Sequence, residues 1–165
     1  MNRLPIKTNL GTCTLLWEGE RVTGFRLPDV RERDADAASA APAPAWITAL
    51  ATRVQAHMSG DMQDFADVQF DWERVGEFQR NVYRIALGVK PGITWSYGQV
   101  ANALGMPPGG ARSVGTALGQ NPWPLLVPCH RFISADGKMT GFSAPGGIKT
   151  KLKLLALEGA QLFAE

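Results

Sequence analysis

At 165 residues, 45% hydrophobic and 19% charged, the chain has the length for one well-filled core, or for a small domain beside a medium one, and the composition of an ordinary soluble globular protein. No run approaches the roughly 18 apolar residues of a membrane span, "MNRLPIKTNL" has no apolar core of signal-peptide length, and two cysteines make no disulfide framework, so the expectation is a cytoplasmic protein without membrane attachment. The formal charge of +2 is uneven: residues 1–88 carry 10 Lys and Arg against 12 Asp and Glu, and residues 89–165 carry 7 against 3, which gives the second half a modest field suited to a polyanion.

In chain order, "GTCTLLWEG" and "RVTGFRLPD" read as two strands of a hairpin turning at Glu18-Gly19-Glu20. "RERDADAASAAPAPA" has no apolar period and reads as a linker. Trp46, Leu50, Val54 and Met58 recur at spacing four, one face of a helix ending near Gly60, and "DFADVQFDW" alternates like a third strand. Residues 1–75 are therefore expected to form a small α/β module. Residues 76–165 are expected to form a second, mainly helical domain. There "EFQRNVYRIALGV" places Phe78, Val82 and Ile85 on one helical face, and "KPG" breaks it. Ser96 and Gln99 have the spacing of a capping box, so a helix should begin at Tyr97 and end at Gly105. "ARSVGTALG" implies a second helix after "MPPGG", which makes a helix-turn-helix candidate. "LLVP" reads as an apolar strand, Asp136-Gly137 as a turn, and "IKTKLKLLALEGA" as a last helix with Leu152, Leu155 and Ala156 inward. There is no internal repeat.

The chemistry concentrates at Cys129-His130, one of two cysteines beside one of two histidines. A thiol is a weak nucleophile until deprotonated, and a neutral imidazole is the natural base near pH 7. On extended backbone the two side chains point to opposite faces, so a turn or one bridging water is needed to couple them. The imidazole also needs a partner on its other nitrogen, usually a carboxylate. Among Asp136, Glu158 and Glu165, Glu158 is the choice, since Asp136 reads as a turn residue. Cys129 as a small buried hydrophobe, and a thiol hydrolase using His57, remain open on these residues alone. No CxxC or HxxxH spacing suggests a metal, and no GxGxxG or P-loop suggests a cofactor.

Together, "FQRNVYRIAL", "SYGQVANALG", "GARSVG", "NPWPLLVPCHRFI", "GKMTGF" and "KLLALEG" resemble, in order and spacing, the O6-alkylguanine-DNA alkyltransferase family. The resemblance runs from about Phe78 to Gly159. It implies an N-terminal ribonuclease-H-like α/β module, a DNA-binding helix-turn-helix, and a repair reaction in which Cys129 takes the alkyl group from O6 of guanine, once per molecule and without a cofactor. By the same resemblance His130 deprotonates Cys129 through a water, Glu158 orients His130, Asn121 is the hinge asparagine, and Tyr97 serves the base at N3. Ser143 offers a backbone N–H toward O6, the carbonyls of Cys129 and Phe132 receive the exocyclic amine, and Pro124 and Phe142 line the pocket.

A base inside a duplex must be flipped out to reach such a thiol. The resemblance assigns Arg112 as the side chain that fills the gap, with Gly110, Ala111, Ser113 and Gly115 allowing close approach to the sugar-phosphate in the minor groove. The implied partner is double-stranded DNA containing alkylated bases, met as a monomer or cooperatively. Phe132 stands where many relatives have Val, Phe142 where many have Tyr, and Ala144-Pro145 look inserted, which together imply lower tolerance for large O6 adducts. A thiol-less relative of this kind would only flag the lesion; Cys129 argues against that reading.

Overall fold

β1 (Asn2–Thr8), β2 (Gly11–Glu18) and β3 (Arg21–Arg26) form an antiparallel sheet in that order in the computed structural model, which describes residues 2–28, 42–134 and 147–160. The hairpin read from the sequence is β2–β3. β1 escaped that reading because Pro5 interrupts it; as an edge strand it tolerates a residue that cannot donate to a ladder. On β2, Cys13, Leu15 and Trp17 are buried, and α1 (Ala45–Met58) brings Ile47, Leu50, Val54, His57 and Met58 inward. "DFADVQFDW" is not a strand. Only Phe70 makes a bridge, beside Val22, and the rest is turn leading into a 3₁₀ turn at Trp72–Arg74, with Phe65 and Phe70 buried by the turns rather than by alternation.

α2 (Glu77–Leu87) buries Val82, Tyr83 and Ala86, whereas Phe78 is exposed; the Tyr83 hydroxyl, donating to the Ala117 carbonyl at 2.6 Å, turns the stripe one residue round from the predicted face. β4 (Trp95–Ser96) leads directly into α3 (Tyr97–Ala103). The capping box is present: the Ser96 hydroxyl accepts from the Gln99 amide at 3.0 Å, and the Gln99 side chain accepts from the Ser96 amide at 2.7 Å. α4 (Gly110–Gly119) packs across α3 and α2. "LLVP" forms no strand: Leu125 has φ +78°, and Pro124 and Val127 make only an isolated bridge across a turn. The strand, β5 (Phe132–Ile133), comes after Cys129-His130-Arg131 and pairs in parallel with β4.

α5 (Ile148–Leu157) ends in a Schellman motif. Gly159 is left-handed at φ +74°, its N–H donates to the Ala156 carbonyl, and the Ala160 N–H donates to the Leu155 carbonyl. Its buried face is Lys151, Leu154 and Leu155, with Glu158 following; Leu152 is half-buried and Ala156 exposed, contrary to expectation. The helix is rotated because Lys151 donates inward, to the Phe132 carbonyl at 2.6 Å, a partner no apolar period signals. The predicted turn at Asp136-Gly137 lies outside the described residues.

One apolar cluster runs through both halves, with Trp123 at its seam. The indole is fully buried, 5.1 Å from the Phe70 ring, 5.5 Å from Trp72 and 6.2 Å from Tyr83, and its Nε1–H donates to the Val22 carbonyl on β3 at 2.9 Å. No helix among the described residues is long and apolar enough to cross a membrane.

Candidate active site

The segment before Cys129 is a tightly held turn. Pro128, at φ −80° and ψ 64°, makes an inverse γ-turn in which the Cys129 N–H donates to the Val127 carbonyl at 2.7 Å. Asn121 ties the turn from outside: its Nδ2–H donates to the same Val127 carbonyl at 2.8 Å, and its Oδ1 accepts from the Trp123 N–H at 2.9 Å. Residues Cys129–Arg131 then form a single 3₁₀ turn, and all three are buried. Cys129 and His130 therefore stand on a turn rather than on extended backbone. Among the described residues neither ring nitrogen of His130 has an aligned hydrogen-bond partner, so the imidazole and the thiol share no direct bond.

Glu158 gathers the surrounding polar groups. Arg131 forks onto it, Nε to Oε1 at 2.9 Å and Nη2 to Oε2 at 2.8 Å, while its Nη1 donates to the Val89 carbonyl. His57, from the last turn of α1, places Nε2 2.9 Å from Oε2. His130 Nε2 lies 2.9 Å from Oε1, at ion-pair distance but out of line for a hydrogen bond. The approach of Gly92 explains how the "KPG" break serves this site: at φ +87° it lies against the Glu158 backbone, where a Cβ would meet the carbonyl at 3.2 Å.

Burial pushes the Cys129 thiol up from its ordinary range, opposed by Asn121 and by the charge of Lys151, so the resting group is the thiol. Burial likewise lowers His130, with Glu158 opposing, which keeps the imidazole neutral and able to accept a proton. Burial alone would raise Glu158, but the forked Arg131 guanidinium, the nearby His130 ring and the His57 donor outweigh it and hold the carboxyl well below the usual range. Lys151 is lowered by burial to about 8, with the nearby Cys129 opposing. A proton acceptor with a fixed carboxylate behind it, set beside a buried thiol, can generate a thiolate on demand rather than hold one at rest.

The remaining predicted residues fall as follows. β4–β5 pairing sets Tyr97, first in α3, alongside the strand that follows Arg131. Tyr97 is buried, with its ring 3.4 Å from where a Gly115 Cβ would stand, so the smallness of Gly115 already serves the α3–α4 contact. Arg112 and Ser113 are exposed on the first turn of α4, and Ala111 is half-buried. Pro124 is half-buried in the turn, and Phe132 is fully buried. The Cys129 carbonyl accepts the Phe132 N–H and the Phe132 carbonyl accepts Lys151, so each keeps one lone pair for another donor. Phe142, Ser143 and Ala144-Pro145 lie outside the described residues. Sequence reading missed Arg131, Lys151 and His57 as members of the cluster. The last had a signal: a histidine three residues beyond Val54 on the buried face of α1 must find a buried partner. Among the described residues, no group of three or more His, Cys, Asp or Glu could hold a metal.

Residues 77–160 match the family model described as 6-O-methylguanine DNA methyltransferase, DNA binding domain. A methylated-DNA–protein-cysteine methyltransferase of Mycobacterium tuberculosis is 36% identical over 160 residues, 97% of this chain and 93% of that protein. The crystal structure of M. tuberculosis OGT in complex with DNA superposes with a TM-score of 0.77 at 36% identity, over 96% of this chain and 93% of that one. A DNA base-flipping protein of Thermus thermophilus is 41% identical over 107 residues, 65% of this chain and 69% of that protein.

Proposed function

The chain belongs to the 6-O-methylguanine DNA methyltransferase family, and from that premise we propose that Cys129 is the residue to which it transfers the alkyl group of an O6-alkylguanine in DNA. The protein is a methylated-DNA–protein-cysteine methyltransferase and DNA is its partner. The observation that carries the assignment of residues is the buried Cys129-His130-Arg131 turn locked onto Glu158.

In this reading His130 takes the Cys129 proton through one water, and the thiolate attacks the alkyl carbon. A C–S bond forms as the C–O6 bond breaks, and the electron pair leaves on guanine. Tyr97 serves the base at N3 as that anion is neutralised. Asn121 holds the turn. Phe132 and Pro124 wall the pocket. The thioether is not cleaved by water, so each molecule acts once. Arg112, with Ala111, Ser113 and Gly115 beside it, replaces the flipped nucleotide in the stack. Residues 76–165 carry the DNA contacts and the chemistry, and residues 1–75 form the accessory α/β module, of ribonuclease-H type. The protein meets alkylated duplex as a monomer. Both cysteines are unpaired, which suits the reducing cytoplasm.

The test is intact-protein mass after mixing with a duplex bearing one O6-methylguanine, followed by peptide mapping. The expected result is one added methyl on Cys129, saturating at one per protein and absent in Cys129→Ser. Tight lesion-dependent binding at unchanged mass would instead favour a lesion flag, a reading the base-flipping relative keeps in view.

A further inference from the structure

The carboxylate behind His130 is held from two sides of the fold. Arg131 and His130 reach Glu158 from the turn next to Cys129. His57 reaches it from α1, 101 residues earlier in the chain, on the other side of the shared core. The structure assigns the proton on that ring: Nδ1 accepts the Gln63 backbone N–H at 3.0 Å, so the hydrogen is on Nε2, and Nε2–H donates to Glu158 Oε2. The ring is fully buried and leans on Phe65 at 5.6 Å.

We propose that His57 is a further positioning residue for the alkyl transfer, fixing the carboxylate that orients His130. The proposal rests on the roles given above to Cys129 and His130. Arg131 occupies both oxygens and would let the carboxylate travel with its own turn. His57 is the donor that ties Oε2 to the N-terminal part of the chain, so the distance from Oε1 to His130 is set by two elements rather than one. His57 also disperses the charge of Glu158 as a neutral donor. Without it that charge acts more strongly on His130 and favours the imidazolium, which cannot accept the thiol proton. Among the described residues, the other charged groups facing the cluster are Arg131 in the turn, Lys151 on α5, and Asp64, which is paired with Lys90 and lies within the field of Arg131.

The experiment compares wild type, His57→Phe, which fills the ring volume without a donor, and His57→Gln, which keeps an N–H donor. Single-turnover methyl transfer from an O6-methylguanine duplex is followed from pH 5.5 to 9, per folded molecule. His57→Phe is expected to be slower on the order of tenfold at pH 7, less than the roughly 10²–10⁴-fold of losing a general base outright because His130 itself stays in place, with the rising limb moved to higher pH. His57→Gln is expected to recover most of both. Superimposable rates and pH profiles for all three overturn the proposal while leaving the function intact. If wild type transfers no methyl, the functional reading fails, and the pH profile of Cys129 alkylation by iodoacetamide, which needs no DNA, decides on His57 by the same criterion. Should His57→Phe fail to fold, the ring nitrogen shifts of His57 in wild type decide: a proton on Nδ1 overturns the assignment.

Discussion

Glu158 carries more of the site than its single charge suggests. It is buried against a buried guanidinium, so Glu158→Gln leaves Arg131 with the Val89 carbonyl and no counter-charge. Breaking a buried pair from one side costs about 3–5 kcal/mol, and urea unfolding at pH 7 is expected to show a loss of that size. The pH dependence has two parts. The folded carboxyl of Glu158 is depressed, so its stabilisation is complete above about pH 4.5, the ordinary carboxyl value, and is lost as pH falls below it. His130 is depressed too, and the unfolded chain takes up that proton near pH 6.5 while the folded one does not, so stability also declines as pH falls from 6.5. Urea midpoints at pH 7.5 and 5.5 are expected to differ in wild type and to lie closer together in His130→Gln. For Arg112, exposed on α4, the role proposed above makes Arg112→Ala slow repair in duplex more than reaction with free O6-methylguanine; equal slowing in both would remove that role.

Single elements show which sequence signals were sufficient. The capping box at Ser96 and Gln99 and the glycine at Gly105 are local chemistry: α3 begins at Tyr97, and left-handed Gly105, at φ +70°, follows its Leu104 cap. The inward face of α5 and the supposed "LLVP" strand were set by distant partners. A lysine was drawn in by the Phe132 carbonyl, and an asparagine folded a turn back on Val127. Cys129, His130 and Glu158 were legible because a rare adjacency and a scarce acid stood out. Nothing in the sequence separates Arg131 and Lys151, both buried, from ordinary surface cations. The turn also supplies a test of competing magnitudes. Leu125→Gly would relieve about 1–2 kcal/mol of left-handed strain, but it removes a side chain 1% exposed, which costs about 2–5 kcal/mol. Burial wins, and thermal or urea unfolding is expected to show a net loss of about 1–3 kcal/mol.

For the molecule as a whole, the seam at Trp123 decides how the two halves behave. The indole joins β3 to the reactive half through its bond to Val22 and through rings from both sides, and Phe25 N–H donates to the Pro122 carbonyl nearby. A shared core of this kind predicts one cooperative transition. Tryptophan fluorescence and far-ultraviolet circular dichroism are expected to give coincident urea curves, and two separated transitions would show that the halves fold independently.

The cluster on Glu158 has a further consequence for the chain during synthesis. Domains begin to fold as they emerge from the ribosome, N-terminal parts first. His57 and Cys129 are both made well before Glu158, which α5 delivers at its C-terminal cap. A nascent or truncated chain that lacks α5 therefore already carries the thiol, yet its imidazole has no carboxylate behind it and its arginine no counter-charge. On the role proposed above for Cys129, its competence arrives with the docking of α5, as a late event in biogenesis.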